Sequence, residues 1–367
     1  MKIAIFHNFM DNIGGAEVVT LILSRELHAD IYTTNIDREK IRKMGFSSDR
    51  IYSIGKVPVN APLRQQAALW RFRQLNLSNS YDFFIIAGDW AMSGAVHNKP
   101  NLWYVHSPIR EIWDLHAYTR QHMIHALKRP LFDLWTFYNR RLNLSYIRHV
   151  DQLACNSQNT QARVKKYLNR EATVIHPPIE TRRYQNLAHN DFWLSVNRLI
   201  DHKRVNLQID AFKNLPDEKL IIVGSYEQSS HFQSYARKIL SEKPGNVEIQ
   251  SWVDSDTLIK LYGRCKGFIA TAVNEDFGMT LVEAMASGKP VIAANEGGYR
   301  ETVTPQTGAL IDSITAEKLS HEIRSMSDLL KKRPDAYRDA CLTRAKQFDV
   351  GEFTHKIKAL LPRGSVK

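Results

Sequence analysis

The stretch EDFGMTLVEAMASG, residues Glu275–Gly288, places the carboxylates of Glu275 and Glu283 eight residues apart around a turn that opens a short helix. A helix N-terminus offers unpaired backbone N–H groups and the positive end of the helix dipole, which together suit a diphosphate. Eight residues at helical rise span about 10 Å, roughly the separation between the sugar and the ribose of a nucleotide sugar. The stretch therefore predicts a nucleotide-sugar site in which each glutamate accepts hydrogen bonds from one set of hydroxyls.

A purely structural role accounts for the same residues. The run from Thr280 to Glu283, TLVE, fits a capping box in which Glu283 bonds only the start of the helix. Gly288 followed by Pro290 is an ordinary helix end. The local pattern leaves both interpretations open, so the rest of the chain has to decide between them.

Strand-like and helix-like segments alternate along the chain, which predicts parallel sheets covered by helices on both faces. The predicted strands are KIAIFH, ADIYTTNI, YDFFIIAG and NLWYVH in the first half and FWLSVNRLI, KLIIVGS, VEIQSWV, GFIATAV and PVIAANEGG in the second. The pattern pauses over residues 173–190, which carry a Pro-Pro pair, and we place the linker there. The fold class is therefore α/β, with two doubly wound Rossmann-like domains at 1–182 and 183–345. A charged helical segment, 346–367, follows and could pack back on the first domain.

Composition narrows the class of protein. The 367 residues exceed the size of a typical single domain, and 43% hydrophobic with 24% charged residues is usual for a globular protein. The net charge of +12 favours anionic partners such as nucleotides, acidic membranes or nucleic acid. No run is long enough to cross a membrane and the N-terminus resembles a buried strand, so we expect a cytoplasmic protein. Three cysteines without CxxC spacing indicate neither disulfides nor a zinc site.

Candidate binding groups follow predicted strands in both halves. Gly14-Gly15 come after the first strand, Arg198 and Lys203 after the first strand of the second domain, and the EDFG turn after a later one. Ligands of open α/β sheets bind beyond the carboxyl ends of the strands, so we expect these groups to face one cleft.

With these residues in order, the chain resembles the family-four retaining glycosyltransferases, which have the two-domain GT-B fold. The resemblance rests on GGAE at 14–17, on SVNRLIDHKRVNLQIDAF, and on NEDFGMTLVEAMASGKPVIAANEGGYRETV, and it covers nearly the whole chain. It implies transfer of a sugar from a nucleoside diphosphate with retention of configuration and without a metal. Asp276, Leu281 and Asn197 depart from the residues common in the family, but none of these changes removes a charged group.

The N-terminal half narrows the resemblance. YVHSPIREIWD at 104–114 and CNSQNTQARVKKYLNREATVIHPPIE at 155–180 are similar to a branch rich in mannosyltransferases. That branch builds polysaccharides and lipid-linked glycans, which implies GDP-mannose as the first donor to consider and a glycan or lipid-linked glycan as acceptor.

The resemblance also assigns site residues. It implies that Arg198 and Lys203 hold the diphosphate, Glu275 the sugar and Glu283 the ribose, and that Gly15 lets the backbone approach closely. Surface cations, a helix cap and a simple turn are the structural alternatives. It places His106 near the reacting sugar, although a structural histidine is a close rival. The predicted catalytic residues are Glu275, Arg198, Lys203 and His106. The predicted donor-binding residues are Gly14, Gly15, Asn197, Arg198, Lys203, Glu275, Phe277, Gly278, Met279, Thr280 and Glu283, and the predicted acceptor-binding residues are His106, Arg110 and Trp113.

Two further patterns have a functional and a structural interpretation. Asp254-Ser255-Asp256 matches the DxD pattern of metal-dependent transferases, but it directly precedes an apolar-periodic segment, so we interpret Asp254 as an N-cap. The stretches 64–77 and 128–148 mix cations with aromatic and aliphatic residues, which suits docking on an anionic bilayer. A helix with one buried apolar face has the same composition, and packing is the explanation we favour.

Two rival functions remain from the sequence. A transferase using a UDP-sugar, or a GT-B epimerase acting on one, fits the same motifs. A basic protein that binds nucleic acid or a membrane without catalysis fits the net charge but leaves the paired glutamates unexplained. We therefore expect a nucleotide sugar and a glycan as partners and no nucleic acid.

Overall fold

A computed structural model describes residues 1–12, 14–188, 191–224, 230–251 and 253–362, with backbone only for 230–234. The chain divides into two compact units, Met1–Pro177 with the chain from Phe353 onward, and Pro178–Glu352. The sequence predicts the two domain boundaries at 182/183 and 345/346, whereas the structure has them at 177/178 and 352/353. No helix in the described ranges is long and apolar enough to cross a membrane.

The first unit is built on a parallel sheet of seven strands in the order β3-β2-β1-β4-β5-β6-β7. Its strands are β1 Ile3–Phe6, β2 Asp30–Thr33, β3 Ile51–Ser53, β4 Phe83–Ile86, β5 Asn101–Val105, β6 Gln152–Cys155 and β7 Thr173–Val174. Its helices are α1 Gly15–Leu27, α2 Arg38–Lys43, α3 Leu63–Gln74, α4 His116–Tyr118, α5 Arg129–Tyr146 and α6 Gln158–Leu168. Continuous apolar strands such as FFII in β4 are buried along their whole length, as expected for a sheet covered on both faces.

The second unit has a parallel sheet of six strands in the order β10-β9-β8-β11-β12-β13. Its strands are β8 Trp193–Val196, β9 Leu220–Val223, β10 Val247–Gln250, β11 Gly267–Ala270, β12 Val291–Ala294 and β13 Gly308–Ile311. Its helices are α7 Val205–Lys213, α8 Ser230–Glu242, α9 Ser255–Arg264, α10 Met279–Ala286, α11 Tyr299–Thr302, α12 Ala316–Lys332 and α13 Arg338–Lys346, and α14 Val350–Ala359 crosses the second boundary. From Phe353 onward α14 belongs to the first unit, where the Phe353 ring packs edge-on against Tyr104.

Strand order fixes where each sheet can bind a ligand. In the first sheet the order reverses between β1 and β4, and in the second between β8 and β11. Loops that leave the carboxyl ends of such neighbours run to opposite sides and open a crevice. The predicted residues Gly14, Arg198, Lys203 and Glu275 all follow a strand that borders one of these crevices.

The predicted α/β fold class is confirmed, and each of the nine predicted strands is present. Four short strands were not predicted: β3, β6, β7 and β13. β7 lies inside the segment predicted as a linker and forms the edge of the first sheet beside β6. Parts of three predicted segments lie outside the described residues. These are Ser225 of KLIIVGS, Trp252 of VEIQSWV and the end of the linker at Asn190.

Candidate functional site

In the second unit, the loop that follows β8 carries three of the predicted donor-binding residues. Asn197 is fixed at its start, because its Nδ2 donates to Ser195 Oγ at 2.6 Å and its backbone N–H donates to Val223 O. Arg198 is exposed to solvent. A short 3₁₀ turn, Asp201–Lys203, then brings the chain round to α7. The loop therefore presents the exposed Arg198 and the half-buried Lys203 and Arg204 just beyond the sheet.

Lys203 and Glu275 form an ion pair. Lys203 Nζ lies 2.6 Å from Glu275 Oε2, and the two side chains are only 14% and 21% exposed. The loops that carry them are joined by backbone contacts as well, since Val273 N donates to His202 O and Thr271 Oγ1 donates to Lys203 O. Two residues that are 72 positions apart in the sequence thus share one site. A charge-assisted hydrogen bond of this kind holds both groups in defined positions.

The EDFG turn packs against the loop that follows β12, for which the sequence predicts no role. Gly298 N donates to Glu275 O at 2.9 Å, and Glu296 accepts from Asn274 N and from Arg204 Nη2. A Cβ on Gly298 would overlap the Asp276 carbonyl and Phe277 Cα. The two adjacent glycines of NEGGY were the available signal, because a Gly-Gly pair often marks a close backbone approach.

Substitution of Gly298 by alanine tests this support. We expect Gly298→Ala to displace the Glu275 backbone, to lower stability by about 1–3 kcal/mol, and to weaken nucleotide binding. Gly245→Ala is the matched control, because a Cβ there meets nothing within 4 Å. Denaturant unfolding and nucleotide titration measure both effects, and equal behaviour of the two variants would show that the close approach is unimportant.

Helix α10 begins at Met279, with Gly278 as N-cap at φ 94° and without a side-chain cap. The capping-box alternative for Glu283 is therefore wrong: Thr280 lies inside the first turn, and Glu283 lies in the second. The first-turn amides of Met279 and Thr280 have no intrahelical carbonyl to bond. The positive end of the helix dipole lies at the same point, so this terminus suits an anion.

Glu283 is held by aromatic hydroxyls instead. Tyr262 Oη donates to Glu283 Oε2 at 2.7 Å, and Tyr184 interacts with the same carboxylate. Burial raises the pKa of Glu283 above its usual range, although the two tyrosine hydroxyls partly offset this. The carboxylate is thus fixed in place in the second turn of α10, and the two tyrosine hydroxyls orient it. No sequence pattern pointed to Tyr184 or Tyr262.

In the first unit, His7 and Glu17 organise the loop after β1. Glu17 Oε2 accepts from Gly14 N at 2.8 Å, and its Oε1 lies 3.1 Å from His7 Nε2. Burial works to raise the pKa of Glu17, but the hydrogen bond and charge of His7 together with the Gly14 amide leave it lowered. Gly15 is the first residue of α1 and is exposed. The hydrogen bond from Gly14 N to Glu17 Oε2 therefore sets the turn that presents this helix end.

His106 follows β5 and has an available ring nitrogen. Its Nε2 is buried and has no hydrogen-bond partner among the described residues, while its ring packs edge-on against Tyr104. Burial lowers the pKa of His106 to about 3, with the charge of His7 acting in the same direction. The imidazole is therefore neutral near pH 7. A neutral ring with an unused nitrogen can exchange a hydrogen bond with a hydroxyl group.

Arg110 and Trp113, the other predicted acceptor-binding residues, are held by contacts within the unit. Arg110 donates to Asp114 Oδ2 from Nε at 3.0 Å and from Nη2 at 2.8 Å. Trp113 Nε1 donates to Asn143 Oδ1, and its ring stacks on Tyr167. These contacts give both side chains a structural role, and their binding to an acceptor stays a prediction.

Glu111 was not singled out from the sequence. Burial raises its pKa to about 7, and the nearby carboxylate of Asp89 adds to the shift. Asp89 itself is buried beside Asn8 and has a raised pKa because of that burial. The only sequence signal was the position of Glu111 within the quoted stretch YVHSPIREIWD.

Glu111 should make the stability of the protein depend on pH. The folded carboxyl titrates near pH 7 and the unfolded one near 4.5, so the folded state holds the extra proton between these values. This contribution to stability is therefore present below pH 4.5 and is lost as pH rises through 7. We expect Glu111→Gln to gain stability relative to the wild type with rising pH, by up to about 1.4 kcal/mol per pH unit.

His106→Asn provides a control of opposite sign. The folded His106 titrates near pH 3 and the unfolded one near 6.5, so this residue costs stability as pH falls between these values. The His106→Asn variant should gain relative stability as the pH is lowered. Urea unfolding across this range measures both slopes, and parallel curves for the wild type and Glu111→Gln would refute the assignment.

The sequence DSD does not need a metal to explain it. Asp254 is the N-cap of α9 and accepts from Thr257 N at 2.9 Å, as predicted, and Asp256 lies in the first turn. The three cysteines are buried and free.

Comparison with known proteins gives two family matches that together run over most of the chain. Residues 13–183 match the family model described as Glycosyltransferase Family 4, and residues 180–341 match that of Glycosyl transferases group 1. The alpha-1,3/1,6-mannosyltransferase alg-2 of Neurospora crassa is 29% identical over 266 residues, covering 59% of this chain and 54% of the relative. A GDP-mannose-dependent monoacylated alpha-(1-6)-phosphatidylinositol monomannoside mannosyltransferase of Corynebacterium glutamicum is 27% identical, covering 49% and 53%. The chain thus spans about half the length of these curated relatives.

Solved structures show the same fold. Anabaena Alr3699/HepE in complex with UDP and glucose superposes with a TM-score of 0.79 at 19% identity, covering 99% of this chain and 100% of that one. The sucrose-phosphate synthase of Thermosynechococcus elongatus gives 0.75 at 17% identity and covers 98% of both chains.

Proposed function

The chain belongs to the family-four glycosyltransferases and has their GT-B fold, and we propose that it moves a sugar from a nucleoside diphosphate to a hydroxyl of a glycan or lipid-linked glycan. The observation that carries the proposal is the arrangement in the second unit. The Lys203–Glu275 ion pair lies in the loops that border the β8/β11 crevice, and the uncapped start of α10 follows directly. The cation and the helix N-terminus suit a diphosphate, and the carboxylate suits the hydroxyls of the attached sugar.

Each group has a proposed task. Arg198 and Lys203 bind the diphosphate and offset the negative charge that grows on it as the sugar leaves. In other enzymes, removing one such preorganised donor group costs about 3–4 kcal/mol of transition-state stabilisation. The first-turn amides of α10 act on the same phosphates. Glu275 and Glu283 accept hydrogen bonds from sugar and ribose hydroxyls respectively. His106, with its unused Nε2, bonds a substrate hydroxyl.

We propose that the reaction retains configuration and needs neither a metal nor a protein nucleophile. The acceptor attacks the face from which the diphosphate departs, through an oxocarbenium-like state, and the departing phosphate oxygen takes the acceptor proton. The protein then contributes positioning and electrostatic stabilisation. Asp254 serves as a helix cap in this account, so the DSD sequence has no part in the chemistry.

GDP-mannose is the donor we propose first, because the relatives from Neurospora crassa and Corynebacterium glutamicum are both mannosyltransferases and the second is GDP-mannose-dependent. A UDP-sugar is the second candidate. It is favoured by Anabaena HepE, which was solved with UDP and glucose and covers 99% of this chain. An epimerase acting on a UDP-sugar would convert that donor without forming a glycan.

Proton NMR of the reaction tests this proposal. The protein is incubated in EDTA with GDP-mannose or UDP-glucose and with octyl α-mannoside as a lipid-like acceptor, and the anomeric signals are followed. We expect α-mannoside product and GDP from GDP-mannose. A β-linked product would refute retention, and a requirement for added metal would refute the metal-free mechanism. A glucoside formed from UDP-glucose alone would select the second donor, whereas loss of UDP-glucose without a glycoside product would indicate the epimerase.

A further inference from the structure

The outward face of α5 and of the turn before it is apolar. Leu127 is 84% exposed, Leu131 69%, Leu134 65% and Phe137 55%, and Tyr138 and Leu144 are exposed as well. These positions recur at helical spacing, so they form one stripe along the helix. We call these six residues the α5 outer face. Such a stripe is unusual on a free surface, because large exposed apolar patches mark interaction sites.

The inward face of the same helix mixes polar and apolar side chains. Thr136, Asn139 and Asn143 are buried, and Asn143 Oδ1 accepts from Trp113 Nε1 at 3.1 Å. Apolar residues of α5 face inward as well, since Trp135 and Leu142 pack against the core of the first unit. The packing explanation favoured from the sequence of 128–148 therefore holds for Trp135 and Leu142, but not for the α5 outer face, which does not face the core. For α3, in the stretch 64–77, the same explanation holds for Ala68, Leu69 and Phe72, which are buried.

The segment that carries the α5 outer face is strongly basic. Asp133 is the only acidic residue between positions 120 and 148, and it accepts from Arg120 Nε at 2.9 Å. The Arg141 guanidinium lies 4.5 Å from the centroid of the Phe137 ring, within the apolar stripe. The basic residues of this segment are Arg120, Lys128, Arg129, Arg140, Arg141 and Arg148, of which Arg140 points inward, where its Nε donates to Ile112 O. The surface that covers this face must therefore be both apolar and negatively charged.

We propose that the α5 outer face docks the protein on the surface of an anionic lipid bilayer. Apolar side chains enter the boundary between headgroups and acyl chains, while arginines and lysines bind acidic headgroups, as in interfacial amphipathic helices. A second copy of the chain is a poorer occupant, because a two-fold contact would bring two clusters of like charge together. The docking surface goes beyond the proposed transfer reaction and does not depend on the donor.

Vesicle sedimentation tests the proposal with the full chain. The wild type is mixed with vesicles of phosphatidylcholine alone or of phosphatidylcholine with phosphatidylglycerol, at low and high salt. We expect sedimentation with the anionic vesicles that declines as salt is added. Combined Leu131→Ser and Leu134→Ser should lower the partition coefficient about tenfold or more, since two leucines no longer enter the bilayer. Combined Lys128→Glu and Arg141→Glu should lower it on the anionic vesicles.

Leu240→Ser is the matched control, because Leu240 is an exposed leucine on α8 in the other unit. It should sediment as the wild type does. Failure of the wild type to bind anionic vesicles, or unchanged binding by the leucine double variant, would overturn the proposal. A dimeric wild type and a monomeric double variant in light scattering would also overturn it, because a second copy would then cover the α5 outer face. Thermal stabilisation of the double variant by GDP separates a failure of docking from a failure of the proposed function.

Discussion

Replacing Lys203 by methionine should lower kcat for sugar transfer by about 100- to 1000-fold, the usual loss when one preorganised charge-stabilising group is removed. The ammonium group offsets charge on the departing diphosphate, and methionine keeps most of the side-chain volume without the charge. The loss should fall mainly on kcat, because the charge on the leaving group is greatest in the transition state. Steady-state kinetics with the donor varied measures the division between kcat and KM.

Lys213→Met is the matched control for this prediction. Lys213 also pairs with a carboxylate, that of Asp210 at 2.7 Å, but both side chains are about half exposed on α7. Its substitution should leave kcat unchanged. Because Lys203→Met also leaves Glu275 without its partner, thermal unfolding of Lys203→Met and of the double variant with Glu275→Gln shows how much of the effect is structural. Full activity of Lys203→Met would remove the residue from the proposed mechanism.

Glu283→Ala should weaken nucleotide binding about 10- to 100-fold, since hydrogen bonds to a charged group contribute about 1.5–3 kcal/mol each. The structure predicts no cost from losing a helix cap, because Glu283 does not cap α10. Isothermal titration with the nucleotide measures the affinity. A variant that is less stable yet binds the nucleotide with unchanged affinity would show that the glutamate is structural only.

The raised pKa of Glu283 adds a pH dependence to this binding. A carboxylate with a raised pKa takes up its proton at higher pH than usual, so nucleotide affinity should begin to fall at a higher pH than it would with an ordinary glutamate. Tyr262→Phe removes one hydroxyl that stabilises the charged form and should move this decline to still higher pH. An affinity profile that is identical in the two proteins would contradict the orienting role of Tyr262.

The fold and the outline of the site could be predicted because they depend on local patterns. Buried parallel strands appear as continuous apolar runs, and Lys203 and Glu275 both follow such runs, so the sheet topology brings their loops together. The strands that were missed are short. β6 reads QLAC and begins with a polar residue, and β7 has only two residues.

The remaining features depend on tertiary contacts that no spacing encodes. TLVE has the residues of a capping box, but Gly278 at φ 94° begins the helix earlier, which moves Glu283 away from the helix start. Tyr262 reaches Glu283 from another helix. For α5, periodicity does not reveal that Trp135 and Leu142 pack inward while Leu131 stays exposed, because tertiary contacts decide this.

The most direct measurement of the central claim is the thermal stability of the wild type, Lys203→Met and Glu283→Ala with GDP, UDP, ADP and TDP in EDTA. A ligand that binds only the folded state adds RT ln(1 + [L]/Kd), about 2.7 kcal/mol at 100 times Kd. We predict that GDP raises the unfolding temperature of the wild type without metal and stabilises both variants less. The absence of a shift with all four nucleotides, or equal shifts in all three proteins, would contradict a nucleotide-sugar site at Lys203, Glu275 and the start of α10.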